Sequence, residues 1–295
     1  MGFFVFSKRL FLLVVSALIL SCSSYDNQLK NIKQGESFLI TNDLDSAQFF
    51  FNKSFLLDSN NTLVLNHLGD IHFRKVEIGK SLYYFERSIK LDSSQVNIHL
   101  KIAEIQLFLG NYKQVFSFIN KALRIDDRKP HGYFMKGVAY KLIGDTVKAI
   151  SSFKTAIEID YNYYPVYYEL GLLLTLKKDP LAIFYYKNGV EVKPKDPGLK
   201  GSLAWSYDQF NELDKADNTY FETVRDFPNY FLVKSNYAHF KNKIGDLDSA
   251  LQLCNEILQE DSSNYEILNL KGIILQKEGR LEEAESVKVM LDKLP

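Results

Sequence analysis

Cysteine is scarce in this chain of 295 residues: Cys22 and Cys254 are its only two. Two thiols close one disulfide at most, so no cystine framework holds the fold together. Net charge is absent as well, with 36 basic residues against 36 acidic ones. Without a surplus of lysine and arginine to neutralise phosphates, nucleic acid is excluded as a partner class. The apolar run Leu10–Leu20 is shorter than the roughly 20 residues that cross a bilayer. The five histidines (His67, His72, His99, His131 and His239) include no i,i+3 or i,i+4 pair that would set two metal ligands on one helical face. There is no Gly-x-Ser-x-Gly elbow. Gly79-Lys80-Ser81 could close a phosphate loop only if glycine stood five residues earlier, where Arg74 is. These absences lead us to expect no enzyme, no metal and no cofactor.

What is present begins at the amino-terminal end. Lys8 and Arg9 precede Leu10–Leu20, and small Ser21 leads into Cys22. A charged start, an apolar run of this length and a small-residue boundary read as a secretory leader over residues 1–21. The segment Ile19-Leu20-Ser21-Cys22 is similar to the lipobox of bacterial lipoproteins. That resemblance implies cleavage before Cys22, lipidation of its thiol and acylation of the new amino group. Several acyl chains, at about 0.8 kcal/mol per buried CH₂, attach such a protein to a membrane permanently. Ser23, where an aspartate would favour the inner membrane, implies the outer membrane. The expected location is therefore the bacterial cell envelope, lipid-anchored, with residues 22–27 as a tether that reaches roughly 20 Å at about 3.5 Å per residue.

Past residue 27 one pattern recurs, most cleanly in Tyr133–Ala156. Counted from Pro130 in a unit of about 34 residues, small residues fall at positions 8 and 20 and a large one at position 24. Position 8 reads Gly35, Gly69, Ala103, Gly137, Gly171, Ala204, Ala238 and Gly272. Position 20 reads Ala47, Ser81, Val115, Ala149, Ala182, Ala216, Ala250 and Ala284. Position 24 reads Phe51, Phe85, Ile119, Phe153, Tyr186, Tyr220 and Cys254, then breaks at Lys288. Two small positions let a pair of antiparallel helices, A and B, approach closely, and the large one fills the space between units. Glycine or asparagine at position 15 (Asn42, Gly110, Gly144, Asn211, Gly245, Gly279) suits the left-handed end of helix A.

This pattern resembles the tetratricopeptide repeat. The resemblance implies an all-α, right-handed α-solenoid of about eight helix-turn-helix repeats over residues 28–295, starting near 28, 62, 96, 130, 164, 197, 231 and 265. Repeat five is one residue short in its A–B turn, around Asp179-Pro180. In the last helix Ala284, Val287, Leu291 and Leu294 form an apolar stripe under a charged face, as expected of an end cap.

The family binds protein or peptide partners along a groove lined by its A helices, and position 9 usually faces that groove. Here it gives Glu36, Asp70 and Glu104, and later Trp205 and His239, with Arg74, Phe134 and Tyr168 at neighbouring groove positions. Acids come first and aromatic groups follow, which fits an extended partner with a basic and an apolar segment, anchored by Phe134, Tyr168 and Trp205. The function expected from this resemblance is a scaffold for envelope assembly. A competing expectation is glycan binding by the tyrosine-rich turn Tyr161–Tyr168 and Trp205.

Overall fold

The computed structural model describes residues 25–294. The expected leader, Cys22 with its expected lipidation, and the first residues of the expected tether lie outside the described residues. Sixteen helices are described, in consecutive antiparallel pairs, with no strand among the described residues. The described residues divide into two compact units, residues 25–143 and 144–294.

The first unit holds α1 (residues 25–40), α2 (Leu44–Leu57), α3 (Thr62–Arg74), α4 (Ile78–Leu91), α5 (Val96–Phe108), α6 (Tyr112–Ile125) and α7 (Pro130–Leu142). The second holds α8 (Thr146–Ile159), α9 (Pro165–Leu176), α10 (Leu181–Val192), α11 (Pro197–Gln209), α12 (Leu213–Asp226), α13 (Phe231–Ile244), α14 (Leu247–Glu260), α15 (Tyr265–Lys277) and α16 (Leu281–Leu291). These boundaries follow the repeat frame, with one difference. Helix α1 begins at Tyr25, so residues 25–27, which the frame assigns to the tether, form its first turn.

Local chemistry starts and stops these helices. The side chains of Asp43, Asn61, Asp196, Asp246 and Asn264 each accept a hydrogen bond from a backbone N–H in the first turn of α2, α3, α11, α14 and α15. Proline opens α7, α9 and α11, where its missing N–H costs nothing. Every A–B turn contains one residue at positive φ, always at position 15: Asn42, Val76, Gly110, Gly144, Lys178, Asn211, Gly245 and Gly279. In the Val76 turn the Val76 N–H donates to the Phe73 carbonyl and the Glu77 N–H to the His72 carbonyl, which satisfies the last groups of α3. The same pair of bonds recurs at Asn42, Gly110, Lys178, Asn211, Gly245 and Gly279. Repeat five keeps its corner at Lys178 because the missing residue falls after it.

Packing within a hairpin rests on a glycine facing a ring. A methyl group on Gly35 would stand 2.7 Å from the Phe51 ring, one on Gly69 2.6 Å from Phe85, and one on Gly171 2.7 Å from Tyr186. All three rings are fully buried. Between repeats the same device appears at Gly132 against Leu123 at 2.8 Å, and in repeat five Gly189 of helix B likewise meets Tyr167 of helix A at 2.8 Å. The last hairpin is different. Lys288 is exposed at position 24, and Val287 packs there instead, 3.6 Å from where a Gly272 methyl would lie. Cys254 fills position 24 of the preceding repeat, and burial pushes its thiol up to about 11.

Three outcomes follow for stability and reactivity. Gly69→Leu should lower unfolding free energy by about 1–3 kcal/mol in urea titrations through overpacking, whereas Gly272→Ala should change it little. Val76 is β-branched at φ 61°, a conformation that costs an L-residue about 1–2 kcal/mol. Val76→Asn should therefore raise the midpoint, by an amount on the order of 1 kcal/mol. Cys254 should resist thiol reagents in native buffer and react at once in denaturant.

Candidate functional site

In the first unit the A helices α1, α3 and α5 lie over α4 and enclose a hollow of about 420 Å³. Leu39, Phe73, Phe85 and Ile105 form its apolar lining, and His67, Asp70, Arg74, Lys101 and Glu104 its polar one. The repeat dictates this arrangement: Asp70 and Glu104 occupy the same position in successive units, as do His67 and Lys101. Lys101 donates to the Asp70 carboxylate across the α3–α5 boundary. Arg74 donates to Asn42 in the preceding A–B turn.

Glu36, the first of the position-9 acids, stands 3.5 Å from Nε2 of His67. That is close enough for charge attraction, but the geometry makes no hydrogen bond, and the buried Nε2 has none. Burial lowers the His67 pKa below 6.5, against the opposing pull of Glu36 and Asp70. His131 on α7 is lowered by burial in the same way, with Glu104 opposing. At neutral pH both imidazoles are thus uncharged beside groove carboxylates.

The other expected groove residues are placed less openly. Phe134 is half-buried and packs against the core formed by Leu100, Ala103, Val115, Ile119, Ala122, Met135 and Ala139. In the second unit Tyr168 on α9 and His239 on α13 are exposed, and Trp205 on α11 is half-buried. His239 Nε2 lies 3.0 Å from the Glu266 carboxylate on α15. Successive A helices of this unit are latched together by Lys243 to Asp208 at 2.6 Å and Lys277 to Asn242 at 2.8 Å. Arg74 makes the equivalent latch in the first unit, so it serves repeat packing as well as the hollow. In the tyrosine-rich turn Tyr167 is buried while Tyr161, Tyr164 and Tyr168 are exposed, and the Lys193 ammonium sits 3.8 Å over the Tyr164 ring. No group of three metal-ligating side chains occurs among the described residues.

Two features were missed in the sequence. Lys101 was not among the expected groove residues, and its partner Asp70 is one repeat away. Ile40, Phe108 and Leu142 stand at position 13, where Arg74 is in repeat two, along the carboxyl-terminal rim of the A helices. Ile40 is 87% exposed and Phe108 70%. Large apolar side chains at a position that contributes nothing to the core were the available signal.

Paired helices with small residues at the crossing, left-handed corners and an A-helix face bearing charge over an apolar floor define an α-helical repeat protein. Residues 130–163 match the family described as Tetratricopeptide repeat, so this segment carries one unit of that kind. The chain is 20% identical over 216 residues to DnaJ homolog subfamily C member 7 of Mus musculus, covering 73% of this chain and 40% of that one. The chain thus spans about two fifths of the length of the curated relatives it matches first. Among solved structures, the fold is similar to that of PilF from Pseudomonas aeruginosa, with a TM-score of 0.62 and 15% identity over 75% of this chain and 99% of that one. PilW, described as a widely conserved type IV pilus biogenesis factor, gives a TM-score of 0.62 and 14% identity over 68% of this chain and 94% of that one.

The two uncharged histidines predict a pH effect. An unfolded histidine takes up its proton near 6.5, whereas His67 and His131 resist it when folded, so the unfolded state binds more protons in that window and stability falls with pH. Urea midpoints should decline as pH drops through 6.5, above the carboxylate range, and the decline should flatten in His67→Asn/His131→Asn.

Proposed function

We propose that this chain is a non-catalytic scaffold that holds an extended segment of a partner protein on its A-helix face, at a bacterial membrane to which Cys22 tethers it. The observation that supports the partner site is the hollow of the first unit, with Asp70, Lys101 and Glu104 set above an apolar floor and Phe108 and Ile40 on the rim. Charge chooses the register of a bound chain, and exposed apolar groups supply the area it covers. Protein and peptide partners are what tetratricopeptide-repeat proteins take. The lipobox-like segment supports the tether, and the shared fold with a pilus biogenesis factor makes envelope assembly the setting we favour. The outer membrane is the leaflet system consistent with Ser23.

The test is photocrosslinking in cells from Asp70, Glu104 and Phe108, with the captured species identified by mass spectrometry. One recurrent protein at all three positions is the expected result, and a random sample of envelope proteins would overturn the partner site. Phe108→Ala should weaken capture about tenfold while leaving the melting temperature unchanged, because Phe108 is exposed. Labelled palmitate should be incorporated by the native chain and lost in Cys22→Ala.

A further inference from the structure

The outer face of the first two B helices carries a pattern that the groove does not use. On α2, Phe49, Lys53, Leu56 and Leu57 run down the helix, and on α4 the same positions one repeat later are Tyr83, Arg87, Lys90 and Leu91. Leu56 is 83% exposed, and Phe49 and Tyr83 are each 54% exposed. None of these side chains is needed by the core. The third repeat has Ser117, Lys121, Arg124 and Ile125 at these positions, and the fourth has Ser151 and Thr155 at the first two of them; repeat five has an exposed aromatic at the first, Phe184, but Asn188 at the second, so an aromatic followed by a cation occurs in the first two repeats alone.

Cations and rings are interleaved here. The Lys53 ammonium lies 4.3 Å over the Phe49 ring, and the Arg87 guanidinium lies 5.2 Å over Phe55 and 3.3 Å from the Tyr83 hydroxyl. Beside Tyr83 a shallow hollow of about 470 Å³ is lined by Glu86, Arg87, Lys90 and Leu91. The nearby acids Asp58 and Asp92 accept from backbone N–H groups of Asn60 and Ser94, both at 2.9 Å, and Glu86 is the acid that lines the hollow itself.

We infer that this face of α2 and α4 rests on an anionic phospholipid surface, with Leu56 and Leu91 entering the acyl boundary and Phe49 and Tyr83 at headgroup level. Aromatic rings and leucines beside lysine and arginine are the composition of segments that lie in a bilayer interface. Long cationic side chains reach headgroup phosphates while their stems cover apolar surface. Placement agrees: α1 starts at the edge where α2 and α4 end, and the residues preceding α1 include the apolar run Leu10–Leu20 and Cys22. The orientation rests on the tether proposed above, whereas the pattern on α2 and α4 stands without it.

The experiment uses the full chain in living cells, with a photoreactive residue replacing Leu56, Tyr83 or Leu91, and Ile40 or Phe108 as exposed controls on the opposite edge. Phospholipid adducts are read by mass. Adducts at the first three positions and none at the controls are expected. Lys53→Glu/Lys90→Glu should reduce adduct yield about tenfold with an unchanged melting curve, and Lys53→Arg/Lys90→Arg should preserve it. At Leu56, Tyr83 and Leu91, adducts with a second protein, with another copy of this chain, or with nothing would overturn the inference. Running the series with Cys22→Ala separates it from the tether: no palmitate label in the native chain refutes the anchor, while the adduct pattern in either chain still reports the face.

Discussion

The contact on which the structure depends is a hydrogen atom where a methyl group would otherwise be. Gly35, Gly69 and Gly171 let the backbone of helix A rest on Phe51, Phe85 and Tyr186 at distances that no Cβ allows. Because each ring is wholly buried, it fills the space between its own hairpin and the next one while fixing the distance within its own. The helix-A face then follows. With A helices held in a row, residues one repeat apart become neighbours, and Asp70 meets Lys101 although 30 residues lie between them.

That row also explains the division of polar labour. Latches such as Arg74 to Asn42, Lys243 to Asp208 and Lys277 to Asn242 tie successive A helices at their carboxyl-terminal ends. The middle of the helices is left for groups with weaker obligations. In the first unit those are Asp70, Lys101, Glu104 and the uncharged His67, around an apolar floor. A site of this kind offers shape and charge pattern but holds no nucleophile with an activating base, which is consistent with a binding role.

Much of this was legible because the decisive contact is periodic. Positions 8, 20 and 24 are tied to one crossing geometry, so their residue types repeat with the geometry, and both the hairpins and the fate of Cys254 could be read from spacing alone. The parts that were not legible depend on a single backbone angle or on a neighbour one repeat away. Val76 and Lys178 adopt the left-handed corner without being glycine or asparagine, because the two backbone bonds of the corner hold them there. Val287 replaces Lys288 as filler, its side chain facing Gly272 while Lys288 is exposed. Phe134, expected as a partner anchor, is half-buried, and one side of it packs on the core that includes Met135.

The left-handed corner has a meaning for how such a chain can change. Each corner closes on carbonyls of its own A helix, so the hairpin's bend is decided before the residues that follow it are reached. Repeat five has already lost one residue just beyond that point without disturbing the bend at Lys178. The stretch between corner and helix B is thus the place where length is cheap to alter, and where the chain can lose or acquire a few residues while every buried ring stays opposite its glycine.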